Sequence, residues 1–373
     1  LERAAEVDPQ DLNTLLDLGE AYQAAGEAER ALDTYKRAEK ILPGDRDLAG
    51  LMKGVLRTLN RDAEVERVCT ELLAKDPNDA DALFDLVVAR RNRGNFDGAL
   101  EAIGRLLALR ANDAHVLNEY GYVLSKIGRY KEAVDAFSKA LEVDPRAEHP
   151  LVNKGLALRH LGEHREALAC FRAAADVAPQ EPTNWNLLGL AYDSLEMHDK
   201  AVDAFDHGLA LAPRSASLLN NKGKSLFRTN NLEGAVACFR DATAADPSDA
   251  NAHFNLGNAL HRLGRLDEAG APLERARELD PSSRDVLMAL GRLNMDKGDF
   301  AAALVVFDKA VKANPKDREA WDNRGICLGN LDRFEEALVS YEKAVAIDPG
   351  QYRTWYNRGL AYYSLKRWDE ALP

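Results

Sequence analysis

The stretch PTNWNLLGLAYDSLEMHDKAVDAFDHGLALAPRS, residues 182–215, carries two apolar rhythms separated by a short break. Trp185, Leu188, Tyr192 and Leu195 recur at helical spacing, and Ala201, Phe205, Gly208 and Leu209 do so again. The segment therefore reads as two amphipathic helices. Pro213 ends the second, because a proline cannot donate to the preceding turn. Ser215 follows two residues later, where its hydroxyl can accept from the N–H groups that open another helix.

The same punctuation runs through all 373 residues. Pro9, Pro43, Pro77, Pro145, Pro179, Pro213, Pro247, Pro281, Pro315 and Pro349 lie on one series of step 34, with Ala111 in the vacant slot. A fixed period of this length signals stacked helical hairpins and overrides the two or three domains that length alone suggests. No insertion breaks the count, so residues 12–351 divide into ten complete units. Residues 1–11 read as the tail of a preceding truncated repeat, and 352–373 as a truncated eleventh unit that Pro373 is expected to stop. Asp11, Asp45, Asp79, Asp113, Ser215, Asp249, Ser283 and Asp317 are expected helix N-caps. Gly26, Gly94, Gly128, Gly162, Gly264 and Gly298 fall mid-unit, where a left-handed residue ends the first helix and turns the chain back.

Composition narrows the class. With 46% hydrophobic and 29% charged residues there is ample material for a folded interior. No uncharged apolar run approaches the ~20 residues needed to cross a bilayer, and LERAAEVDPQ lacks a signal-peptide layout, so a soluble chain without membrane contact is expected. The balance of 49 basic against 61 acidic residues, a formal charge of -12, disfavours nucleic acid. Cys69, Cys170, Cys238 and Cys327 form no disulfide framework of the small secreted kind, which fits a reducing, cytoplasmic setting.

Trp185, Leu188, Gly189, Tyr192, Ala201, Phe205 and Pro213 together resemble the tetratricopeptide repeat (TPR), and the resemblance covers the whole chain. It implies an all-α, right-handed superhelical solenoid of stacked antiparallel helix pairs. Its concave groove, lined by the first helix of each pair, would receive peptides or partner proteins. Apart from the family, the glycines from Gly121 to Gly359 and the alanines from Ala133 to Ala371, each at step 34, are expected to face one another across each pair. Phe137, Phe171, Phe205, Phe239, Phe307 and Tyr341 are expected to fill the space between units. Packing is expected to differ where Lys53, Val65, Cys69, Leu72 and Val87 replace these landmarks. Pro272, which removes a bond to the Glu268 carbonyl, predicts a bend over 268–272.

No catalytic, cofactor or metal constellation stands out, and enzymatic activity is not expected. The eight histidines are scattered, and helix-breaking Gly162 separates His160 from His164. CxxC, GxGxxG, GxxxxGK[ST] and GxSxG do not occur. The cysteines read as small buried hydrophobes.

What remains is a surface. The resemblance places positions 2, 5, 6, 9, 12 and 13 of each first helix in the groove. Position 6 reads Asp17, Leu51, Asp85, Glu119, Asn153, Leu187, Asn221, Asn255, Ala289, Asn323 and Asn357. An amide offers both a donor and an acceptor, so Asn153, Asn221, Asn255, Asn323 and Asn357 suit gripping the backbone of an extended peptide. They resemble the asparagine ladder in the repeat region of O-linked N-acetylglucosamine transferase, interrupted here at Leu187 and Ala289. Solvating the groove or bonding neighbouring units would call for the same residues, and the sequence leaves both readings open.

Charge along that face changes sign. Asp17, Glu20, Asp47, Asp81, Asp85 and Glu119 make the early groove acidic, whereas Arg159, Lys224, Arg228, Arg262 and Arg292 make the later groove suited to an acidic or C-terminal peptide segment. Tyr122, Leu156, Leu190, Phe254, Ile326 and Leu360 project toward the same face as apolar contacts. The Lys and Asn set with which some family members clamp chaperone tails is not found. The reading is thus a scaffold that binds a protein or extended peptide. The alternatives are a substrate-presenting arm of a larger enzyme such as a glycosyltransferase, or a self-assembling structural repeat. Trp355 and Tyr362, expected to be poorly covered, predict fraying or end-to-end self-association through the uncapped C-terminal repeat.

Overall fold

A computed structural model describes residues 1–371, among which every regular element is an α-helix. Pro373, and the helix stop expected of it, lie outside the described residues. The chain divides into two compact units, Leu1–Pro179 and a second from Gln180 on. In the first, α1 (Glu2–Val7) precedes the pairs α2 (Leu12–Ala24) with α3 (Ala28–Ile41) and α4 (Arg46–Thr58) with α5 (Asp62–Lys75). There follow α6 (Ala80–Asn92) with α7 (Phe96–Leu109), α8 (Ala114–Lys126) with α9 (Tyr130–Val143), and α10 (Glu148–His160) with α11 (His164–Val177). The second unit opens with α12 (Pro182–Ser194) and α13 (His198–Leu211), then α14 (Ala216–Arg228) with α15 (Leu232–Ala245) and α16 (Ala250–Arg262) with α17 (Leu266–Leu279). It continues as α18 (Arg284–Asp296) with α19 (Phe300–Ala313), α20 (Arg318–Asn330) with α21 (Phe334–Ile347), and α22 (Tyr352–Ser364) with the short α23 (Trp368–Ala371). Within each unit, a second helix packs on its own first helix and on the first helix that follows.

Helix starts follow the capping residues. All eight expected caps stand at the cap position. Asp249 accepts from the Asn251 N–H at 2.9 Å, and Asp79 from those of Asp81 and Ala82 at 3.1 and 3.0 Å. Asp11 instead accepts from the Thr14 hydroxyl, and Ser283 makes no cap bond. Two caps also tie successive pairs together, since Arg46 reaches Asp79 at 3.1 Å and Arg284 reaches Asp317 at 2.6 Å.

The hairpin turn is left-handed throughout. Gly26, Gly94, Gly128, Gly162, Gly264 and Gly298 have φ between 73 and 80°. The remaining pairs reach the same conformation with Asn60, Glu196, Asn230, Asp332 and Lys366 at φ 55 to 64°, a region costly for residues with a Cβ.

The expected apposition of glycine with alanine holds at Gly257, where a Cβ would meet the Ala269 carbonyl oxygen at 3.2 Å, and at Gly359, where it would meet that of Ala371 at 3.5 Å; in the other pairs an aromatic ring lies nearer. A Cβ on Gly121 would meet the Phe137 ring at 2.6 Å, and one on Gly223 the Phe239 ring at 2.6 Å. The glycine clears a volume for the aromatic 16 residues on, in the second helix of its own pair. Phe137, Phe171, Phe205, Phe239 and Phe307 are almost wholly buried, and truncating such a ring to alanine costs about 3–5 kcal/mol. Where Cys69 and Ile103 replace the ring, the glycine is absent too, and Lys53 and Val87 are buried in its place. Helix α17 stays helical through Pro272.

Candidate functional site

In the first unit, α6, α8 and α10 present one face to a cavity of about 460 Å³. Arg91, Asn92, Phe96, Asn118, Glu119, Tyr122, Lys126, His149 and Asn153 line it. All but Phe96 stand at positions 2, 5, 6, 9, 12 or 13 of their first helices, which the fixed period places on one face. The Tyr122 ring has the Arg91 guanidinium 5.2 Å and the Lys126 ammonium 5.0 Å from its centroid, both within cation–π range. Arg91 is bonded to the Glu119 carboxylate at 2.5 Å. Beside them, Asn153 Nδ2 donates to Asn118 Oδ1 at 3.0 Å.

The amide bond recurs in the second unit. Asn221 donates to Asn186 at 3.0 Å and Asn255 to Asn220 at 2.9 Å, each joining position 6 to position 5 of the preceding pair. These asparagines thus bond neighbouring pairs, while keeping a carbonyl oxygen and a second N–H. Asn323 and Asn357 make no such bond. Met288 precedes Asn323 in the register and offers no side-chain oxygen. Asp322 precedes Asn357, and its Oδ2 accepts from Thr354 at 2.9 Å and from Arg318. Asn357 lines a cavity of about 290 Å³ with Ile326, Phe334, Tyr341, Leu360 and Ser364.

Of the six acids expected to make the early groove acidic, three are paired, whereas Asp17, Glu20 and Asp47 are exposed and have no ion pair among the described residues. Asp85 is held by Lys53 at 2.7 Å and by Arg57, and Glu119 by Arg91. Asp81 bonds Arg110 at 2.9 Å and Arg46 at 3.3 Å. Among these cations Arg57 and Arg91 stand at position 12 of their first helices, whereas Lys53 is buried, Arg46 opens α4 and Arg110 caps the end of α7. In the second unit Lys224 and Arg228 are exposed and have no ion-pair partner among the described residues. Arg262 lies 4.8 Å over the Phe227 ring and reaches Asn230 at 3.4 Å. Arg292 bonds the Met288 carbonyl at 3.2 Å, with Glu319 at 3.9 Å. Tyr122, Leu156, Leu190, Phe254 and Ile326 are half-buried, and Leu360 is exposed.

Two further expectations change. Tyr362 is buried rather than poorly covered, whereas Trp355 is 38% exposed. The exposed apolar stripe on α22 is instead Tyr352, Tyr356, Leu360 and Tyr363. Cys170 is half-buried, unlike the other three cysteines. Burial pushes the Cys69 thiol up to about 11 and that of Cys327 to about 12, so neither is a thiolate at neutral pH.

Asn118, Asn186, Asn220, Arg91 and Lys126 escaped the sequence reading. Their signal was a correlation rather than a motif. Asparagine pairs stand 35 residues apart, and Arg57 and Arg91 precede Asp85 and Glu119 by 28.

Profiles of the tetratricopeptide repeat match residues 13–44, 220–284, 288–352 and 330–373. The TPR-like middle domain of cilia and flagella-associated protein 70 matches 83–207. The chain belongs to the tetratricopeptide repeat family. Among curated proteins it is 34% identical over 97 residues to the formate-dependent nitrite reductase complex bifunctional subunit NrfFG of Haemophilus influenzae, covering 25% of each chain. It is 28% identical over 109 residues to interferon-induced protein with tetratricopeptide repeats 3 of Mus musculus, covering 28% of this chain and 27% of the relative. The chain thus spans about a quarter of the length of these relatives. Similar solved structures include YrrB, described as a TPR protein with an unusual peptide-binding site, at TM-score 0.43 and 27% identity over 50% of this chain and 96% of that one. MamA from Desulfovibrio magneticus RS-1 is similar at TM-score 0.43 and 25% identity, over 46% and 96%.

Proposed function

We propose that the chain is a non-catalytic interaction scaffold that holds an extended peptide or partner segment along its first-helix face. The family supports an interaction scaffold in general. The observation that carries the finer reading is the Asn118–Asn153 pair beside an open cavity, repeated as Asn186–Asn221 and Asn220–Asn255. Each pair fixes one amide by a neighbour and leaves donor and acceptor capacity at a set spacing, so a bound backbone meets groups that need little reorganisation. On this reading Asn153, Asn221, Asn255, Asn323 and Asn357 grip the backbone. Tyr122 contacts an apolar group, and Lys224, Arg228, Arg262 and Arg292 steer acidic segments. Residues 12–351 then act as ten complete units flanked by incomplete ones. The test is retention of a randomised peptide library by the wild-type chain and by a variant with Asn221, Asn255 and Asn323 changed to Ala. Loss of retention in the variant supports the amide mechanism, and equal retention rejects it.

A second reading has its own observation. Tyr352, Tyr356, Leu360 and Tyr363 form an exposed stripe on one face of α22, with Tyr352 77% and Tyr356 64% exposed. Such a contiguous apolar patch favours self-association. Sedimentation should show concentration-dependent oligomers that Tyr356→Ser with Tyr363→Ser abolishes; a monomer at all concentrations rejects this reading.

A further inference from the structure

The cavity between α6, α8 and α10 has one charge left over. Arg91 is bonded to Glu119 at 2.5 Å, so these two neutralise each other. Lys126, exposed on the last turn of α8, has its ammonium 5.0 Å from the Tyr122 ring centroid and no carboxylate partner among the described residues. Asn118 and Asn153 stand beside them, joined by one bond that leaves the Asn118 N–H groups and the Asn153 carbonyl open. The geometry points to a subsite that takes one acidic side chain of an extended partner, its carboxylate on Lys126 and its adjacent backbone amide on Asn118 and Asn153.

This rests on the groove reading above and adds an acidic preference in the first unit, where that reading assigns only backbone and apolar contacts. A carboxylate completes the charge balance and forms a charge-assisted bond beside a ring that excludes water from one side. A basic side chain meets Lys126 with like charge and gains Glu119 only by displacing Arg91. An apolar side chain can lie on the Tyr122 ring but leaves the Lys126 ammonium without a counter-charge.

The test uses the full chain with Lys224→Met and Arg228→Met, which removes the open cations of the second unit. Pools of acetylated, amidated nonapeptides carry Glu, Gln or Lys at the centre and randomised neutral residues on either side. Amidation removes the terminal carboxylate, so any preference belongs to the side chain. The Glu pool should be retained about fivefold more than the Gln pool, and the Lys pool least, at low salt. Adding Lys126→Met should bring the Glu pool down to the Gln level with an unchanged thermal melt. Equal retention of Glu and Gln pools, both reduced by Asn153→Ala, overturns the acidic subsite and leaves the groove reading standing. A Glu preference that survives Lys126→Met also overturns it. Retention of no pool overturns both.

Discussion

Gly223 and Phe239 share one volume, since a Cβ on the glycine would lie 2.6 Å from the ring. Gly223→Ala should therefore destabilise the chain by about 1–3 kcal/mol, as overpacking does. Adding Phe239→Leu should cost less than the two changes summed, because the smaller side chain yields the space. Urea midpoints of the single and double variants measure this coupling, and strict additivity would contradict it. Periodicity shows that glycine, alanine and aromatic recur in register. It does not show which of them meet, because that depends on how far the second helix slides along the first. Asp322 offers a second test. Burial raises its carboxyl above the usual range although Thr354 and Arg318 both bond it. The folded chain then binds this proton more tightly than the unfolded chain, so stability falls as pH rises from about 3.9 through the raised folded value. Asp322→Asn, the residue type found at Asn118, Asn186 and Asn220, removes that dependence. Its stability relative to wild type should grow from pH 4 to pH 7 in thermal melts; a flat or shrinking difference would count against the assignment.

Among the elements, the turn between paired helices shows how much the period dictates. Six turns are legible from glycine alone, but Asn60, Glu196, Asn230, Asp332 and Lys366 reach the same left-handed conformation at φ 55 to 64°. No residue preference announces Glu196 or Lys366 as a turn. Their conformation is imposed by helices on both sides whose lengths and packing are already fixed. Glu196→Gly should consequently stabilise the chain by up to about 1 kcal/mol, by relieving the Cβ cost. Its urea midpoint should rise, whereas a fall would mean that the Glu196 side chain contributes more than its backbone costs. The caps were readable because their chemistry is local, as at Asp79 and Asp249. The additional hold of Arg46 on Asp79 joins residues 33 positions apart and has no local signature.

At the scale of the molecule, the stability of each unit follows from contacts between successive pairs, as in other repeat proteins. In the first unit a shared face was legible, because the 34-residue period predicts that positions 2, 5, 6, 9, 12 and 13 lie together and the residues around Tyr122 occupy them. The electrostatics of that face were not. Counting Asp85 and Glu119 as free acids misses Lys53, Arg57 and Arg91, which reach them from the preceding pair. The central claim, that first helices do the binding, is tested most directly by hydrogen exchange of the full chain with and without a retained peptide. Protection on binding should fall on first helices, α8 with α10 or α14 with α16. Protection on second helices such as α9 and α15, with the first helices unchanged, would contradict it.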